Sequence, residues 1–105
     1  MRVERIQFER TGGFAGMRIA RDIKLDDLPE DQAQAISELL DDLDFEELPE
    51  QIMNEQGMSD QFTYKITVET KKGKHTVVTG DSSAPEKLQE LIQLLNRLAR
   101  RRKKQ

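Results

Sequence analysis

Residues 62–80 read FTYKITVETKKGKHTVVTG, and the period of this stretch decides the fold. Phe62, Tyr64, Ile66 and Val68 fall at every second position, with polar residues between them. Successive side chains of an extended chain point to opposite faces, so this is a strand with one apolar face. KKGK then reads as a turn and HTVVT as the returning strand.

The amino-terminal segment repeats the pattern. Across residues 2–10, Ile6 and Phe8 share one face while Gln7 and Glu9 take the other. Thr11-Gly12-Gly13 follows, a turn signal because both glycines tolerate positive φ. Met17, Ile19, Ile23 and Leu25 then lie on one side, opposite Arg18, Asp22 and Lys24. Arg21 interrupts the apolar side, which suits a strand near a sheet edge. These segments predict a second hairpin.

Two stretches carry the helical period instead. In residues 25–45, LDDLPEDQAQAISELLDDLDF, the stripe is Ala33, Ile36, Leu39, Leu40 and Leu43. Pro29 is placed in the first turn, and Glu30 and Asp31 sit at the positive end of the helix dipole. Pro49 ends any continuation. The last helix follows GDSSAPEKL, with Ser83 read as N-cap and Glu86 three residues on as its capping-box partner. Its stripe is Leu88, Leu91, Ile92, Leu95 and Leu98, and it runs into the cations of ARRRKK. Residues 50–61 are polar, include Gly57, Met53 and Met58, and read as a loop.

The order β-β-α-β-β-α predicts an α+β domain: a four-stranded antiparallel sheet with two helices on one face, which buries every apolar stripe once. The order of the two hairpins in the sheet stays open. With 105 residues, a single domain spanning 1–105 is expected, with 100–105 frayed. Only 35% of residues are hydrophobic and 35% are charged, so the core is thin. There is no cysteine, which excludes disulfides and thiolate chemistry. No apolar run is long enough to span a bilayer, and the first ten residues lack the apolar core of a secretory signal, so a cytoplasmic protein is expected.

The net charge of −3 conceals a division. Residues 25–64 hold thirteen Asp or Glu and no Lys or Arg, whereas residues 97–104 hold six Lys or Arg and no acid. Two solvated faces explain this; a basic partner for the acidic helix, or an acidic partner for the tail, is the sharper alternative. The tail has no neighbouring aromatic on which bases would stack and the domain is acidic, so no nucleic acid is expected.

Alternating strand directions place three connections at one end: residues 11–16, 46–61 and 80–84. Functional residues favour such loops on a rigid scaffold. Enzymatic chemistry finds no support there. His75 is the lone histidine and reads as a surface residue, the carboxylates at Asp41-Asp42 and Glu46-Glu47 lie on exposed positions, and Gly12, Gly13 and Gly16 lead into a strand rather than a phosphate-binding helix. No enzyme, cofactor or metal site is expected.

FERTGGFAGMR at residues 8–18, the acidic helix ending in LDFEELPE, FTYKITVE, KHTVV and SSAPEKLQELIQLL resemble the emfourin family in order and spacing. The most specific piece is Phe-Glu-Arg-x-Gly-Gly-Phe-Ala-Gly. The resemblance covers nearly the whole chain, though NEQGMSDQ within residues 54–61 and the basic tail are not matched to it. It implies an inhibitor of thermolysin-like, protealysin-like zinc metallopeptidases: a monomer of bacterial origin, with a peptidase as partner and no membrane or nucleic acid. The contact candidates are Gly12, Gly13, Phe14, Asp81, Ser82, Ser83 and Ala84. Phe14 either packs on the sheet or fills an apolar subsite of the target. Asp81 either caps and solvates or reaches the target's zinc. The competing function is an adaptor that uses the acidic helix or the basic tail.

Overall fold

The computed structural model describes residues 3–12, 17–52 and 62–100. Along the chain lie β1 (Val3–Gly12), β2 (Met17–Lys24), α1 (Glu30–Leu43), β3 (Gln51–Ile52), β4 (Phe62–Thr70), β5 (Gly73–Gly80) and α2 (Glu86–Arg100). Short 3-10 turns at Leu25–Asp27 and Phe45–Glu47 bracket α1. The fold is α+β, two helices and one sheet.

The sheet corrects the expected four antiparallel strands. It has five, in the order β2-β1-β4-β5-β3, and β3 runs parallel to β5. The fifth strand falls in the stretch read as loop. Two residues carry no period to read; the strand exists because Val78 N donates to Glu50 O at 2.8 Å and the Thr79 hydroxyl to Ile52 O at 2.7 Å. The two hairpins pair through β1 and β4, leaving β2 at an edge, where Arg21 interrupts the apolar side.

Register fixes which face is apolar. Ile6 lies opposite Val68, Phe8 opposite Ile66, Ile66 opposite Val77, and all five are buried. A bulge between Val3 and Arg5 inserts one residue in β1. It returns Val3 to the buried side, which strict alternation from Ile6 would deny it. The opposite face carries Gln7, Glu9, Asp22, Lys65 and Thr67. Arg5 joins Asp22 and Glu69 there, and Arg18 joins Glu9.

Both helices cover the apolar face. Ile36 and Leu40 of α1 enter one buried cluster with Leu88, Leu91, Ile92 and Leu95 of α2 and the inner strand residues. Full burial of a Leu or Ile side chain stabilises by about 1.5–3 kcal/mol, so these stripes hold the layers together. The helices also meet through Lys87 and Asp42, 3.5 Å apart.

Helix boundaries differ from the expected ones at three points. Pro29 is the N-cap of α1, its carbonyl accepting Gln32 and Ala33 amides at 3.0 Å, rather than a first-turn residue. The helix stops at Leu43 because Asp44 takes the left-handed conformation at φ 50°, ahead of Pro49. In α2 the Pro85 carbonyl accepts the Gln89 amide at 2.9 Å, and the helix opens at Glu86. Ser83 therefore lies two residues before the capping position, inside the preceding turn.

Candidate functional site

Five of the seven candidates lie among the described residues, and two of them, Gly12 and Asp81, are tied through their backbone to β4. Gly12 ends β1 opposite Phe62, and Gly80 ends β5 opposite Thr63. The Asp81 amide then donates to the Phe62 carbonyl at 3.3 Å. Gly12 and the 81–84 segment thus flank the start of one strand, two strand spacings or about 10 Å apart. Gly13 and Phe14 lie outside the described residues. Gly12 and Met17, the residues on either side of that gap, are paired with each other, so the connection leaves and returns at this pole. The chain leaving Ile52 and re-entering at Phe62 does the same, since Ile52 pairs with Thr79 next to Gly80.

The segment after β5 is a closed turn. Gly80 is buried, and its carbonyl accepts the amides of both Ser83 and Ala84 at 3.2 Å. Ala84 is buried beneath it, and its carbonyl accepts Gln89 Nε2 at 2.9 Å. Ser82 is exposed, while Asp81 and Ser83 are half-buried. The turn is therefore ordered by its own backbone and by α2, leaving its outer edge at the surface.

Gly12 has φ 104°, a region that L side chains avoid, so a glycine is required where β1 ends. Beneath it sits a cluster that the sequence reading did not assemble. The Arg10 guanidinium lies over the Phe62 ring at 4.7 Å and donates to Asn96 Oδ1 of α2 at 3.3 Å. The Phe62 ring centroid is 6.4 Å from that of Tyr64, which lies 6.0 Å from Phe8. Arg10 shares the parity of Ile6 and Phe8, so its face was legible; its partner, 86 residues away, was not.

A cleft of about 130 Å³ opens beside this cluster, lined by Tyr64, Asp81, Gln89, Ile92, Gln93 and Asn96. A wider hollow of about 340 Å³ lies on the opposite sheet face around Gln7, Glu9, Ala20, Asp22, Lys65 and Thr67. It exists because Ala20 is short between longer neighbours, and charges at its rim, Asp22 and Glu9, are paired with Arg5 and Arg18.

His75 is not the surface residue expected. It is half-buried, with Nε2 2.9 Å from the Leu48 carbonyl oxygen, an acceptor that requires a proton on that nitrogen. Its ring meets Phe45 edge-on at 5.6 Å. It fastens the segment after α1 to β5. Asp41, Asp42, Glu46 and Glu47 are exposed, as expected. Among the described residues no group of three or more His, Cys, Asp or Glu could hold a metal ion, and no helix is long and apolar enough to cross a membrane.

A family model for emfourin matches residues 8–96. Among solved structures, the chain is similar to one described as emfourin (M4in) from Serratia proteamaculans, M4 family peptidase inhibitor. The two are 24% identical over 85% of each chain, with a TM-score of 0.45. No curated protein matches significantly. The family match takes in the glycine-rich end of β1, β4, β5, the 80–84 turn and α2 as far as Asn96, and on that match the chain belongs to the emfourin family.

Proposed function

We propose that the chain inhibits a thermolysin-like zinc metallopeptidase by seating the pole formed around Gly12 and residues 81–84 in the active-site cleft. Family membership makes it a peptidase inhibitor rather than an enzyme. The observation that carries the cleft-directed reading is the convergence on Phe62: Gly12 pairs with it and Asp81 hydrogen-bonds to it. Two separated chain segments thereby lie side by side at one end of the sheet.

An inhibitor needs no catalytic group. It needs segments that are ordered before binding, because ordering a loop on association costs affinity. The 80–84 turn meets that need through the paired bonds to the Gly80 carbonyl and the brace from Gln89. Gly12 and Gly13 permit close backbone approach, Phe14 enters an apolar subsite, and Asp81, Ser82 and Ser83 meet polar groups of the cleft wall, with Ala84 packed behind them. The inhibitor acts as a cytoplasmic monomer. The test is residual peptide cleavage by a thermolysin-like peptidase at increasing ratios of inhibitor. Loss of cleavage near one equivalent supports the proposal. Full activity at a large excess of inhibitor, across several such peptidases, refutes it.

A further inference from the structure

We propose that the free edge of β2 is a latent pairing surface for a second copy of this chain, and that Arg21 keeps it closed.

An edge strand offers every second N–H and C=O to any strand that arrives. β2 is regular enough to be paired. It has eight residues and no proline, and its ladder with β1 runs unbroken from Arg5 opposite Lys24 to Gly12 opposite Met17. Among the described residues no strand lies on its other side. Ile19 and Ile23 pack against the core yet stay half-buried, so apolar surface remains at this edge.

Arg21 is the exception on that strand. It lies opposite Phe8, which is 1% exposed, so its position belongs to the apolar face with Ile19 and Ile23. Its guanidinium does not join the core. Nη1 donates instead to the Ala20 carbonyl of the same strand at 2.8 Å, in an exposed bond. The charged head thus lies along the strand's own backbone, on the flank where a further strand would sit. A charge at an inward position is one of the devices that keep edge strands from joining one another.

A second copy pairs antiparallel about a two-fold axis, and the apolar faces stay together only when residues of like parity meet. Two registers use most of the strand. Centred on Ala20, Arg18 of each copy faces Asp22 of the other, and Arg21 faces Ile19. Centred on Arg21, Ile19 faces Ile23, Arg18 faces Lys24, and the two Arg21 residues face each other. The first register sets opposite charges together and the second sets like charges together. In both, Arg21 must leave the Ala20 carbonyl for a place beside an apolar side chain or its own twin, and a charge buried there without a partner is costly. Without Arg21 the register centred on Ala20 has no such obstacle. Arg18 and Asp22, which already hold Glu9 and Arg5, then close one charge network across the axis.

The test is sedimentation of the whole protein over a range of concentrations. Wild type is compared with Arg21→Val, Arg21→Glu, and Arg21→Val combined with Asp22→Lys. Valine suits the apolar face of a strand, and melting temperatures check that each variant folds; Arg21→Thr, also β-branched, takes its place if Arg21→Val does not. Arg21→Val is expected to reach twice the single-chain mass as concentration rises, with slowed exchange at the β2 amides left unbonded in wild type. Wild type and Arg21→Glu stay at the single-chain mass. Asp22→Lys, which sets a second cation opposite Arg18, returns Arg21→Val to that mass. A single-chain mass for Arg21→Val at every concentration overturns the proposal. So does association that survives Asp22→Lys or leaves the β2 amides unprotected, and so does a wild type already paired through β2. Protection of these amides by an added thermolysin-like peptidase, with Arg21→Val still a single chain, gives the edge to that partner and overturns self-pairing.

Discussion

Asp81 is tied to Phe62 by a backbone hydrogen bond of 3.3 Å, and Phe62 is the residue that pairs with Gly12. One strand start thus aligns two segments whose sequence positions differ by about seventy residues. The sheet supplies the alignment at no cost to the segments themselves, since both are extensions of strands already held by the core.

Gly12 and Phe14 separate geometry from contact. Gly12→Ala places a β-carbon at φ 104°, which costs about 1–3 kcal/mol and shifts the end of β1. Thermal melting and inhibition both deteriorate in that variant. Phe14→Ala is expected to abolish inhibition with an unchanged melting temperature. A parallel loss of stability in Phe14→Ala assigns the ring to packing and removes it from the contact surface.

Arg10 holds the pole against α2. Arg10→Ala removes the cation above the Phe62 ring and the bond to Asn96, at an expected cost of about 1–2 kcal/mol. Differential scanning calorimetry then reads a melting temperature lower by about 4–16 °C for a domain near this size. Arg10→Lys keeps the charge but not the planar guanidinium, so it falls between the two. Equal stability of Arg10→Ala and wild type contradicts the assignment.

Much of this scaffold was legible because it is local or periodic. Ile6 and Phe8 alternate with Gln7 and Glu9, and Leu88, Leu91, Ile92 and Leu95 recur at helical spacing, so their burial follows from backbone geometry alone. The shared pole followed from strand directions, which alternate along a hairpin. The misses have physical causes of another kind. Gln51 and Ile52 are too few to show a period, and their strand is set by partners on β5. The bulge that turns Val3 inward is a register slip that no composition reports. His75 looked like an exposed strand start, but its acceptor, Leu48, is 27 residues away. Ser83 fits a capping box by spacing, yet the amides of Ser83 and Ala84 are drawn to the Gly80 carbonyl and the helix opens later.

His75 is structural, and its replacement tells stability apart from function. His75→Ala loses the bond to the Leu48 carbonyl and the edge contact with Phe45, for an expected loss of about 1–3 kcal/mol. The inhibition constant of the folded variant stays at the wild-type value, because the residue faces neither Gly12 nor the 80–84 turn. A changed inhibition constant at unchanged stability returns His75 to the functional surface.

Acid titration reads the Arg5–Asp22 pair. The two fork-like bonds, 2.6 and 2.7 Å long, favour the charged carboxylate and hold Asp22 below its ordinary range. A carboxyl depressed on folding contributes stability that is complete above the unfolded value of about 4 and is lost as pH falls through the lower folded value. Asp22→Asn removes that contribution. Its unfolding curve, followed by circular dichroism in urea, therefore changes less between pH 5 and about pH 2 than the wild-type curve does. Identical acid limbs show that the pair is not formed in solution.

The fifth strand is tested at Thr79. The side chain is fully buried, and its hydroxyl donates to the Ile52 carbonyl at 2.7 Å. Thr79→Val keeps the shape and removes the donor, leaving the carbonyl of half-buried Ile52 without that partner, at an expected cost of about 1 kcal/mol. The loss concentrates on β3, because Ile52 has only one neighbouring strand. Amide exchange at Val78, which donates to Glu50 across the same junction, is expected to accelerate more than exchange at Ile66 in the sheet centre. Since Ile52 leads directly to the third connection at the pole, the same variant also weakens inhibition if that connection takes part. Unchanged exchange at Val78 shows that β3 is held by something other than this hydroxyl.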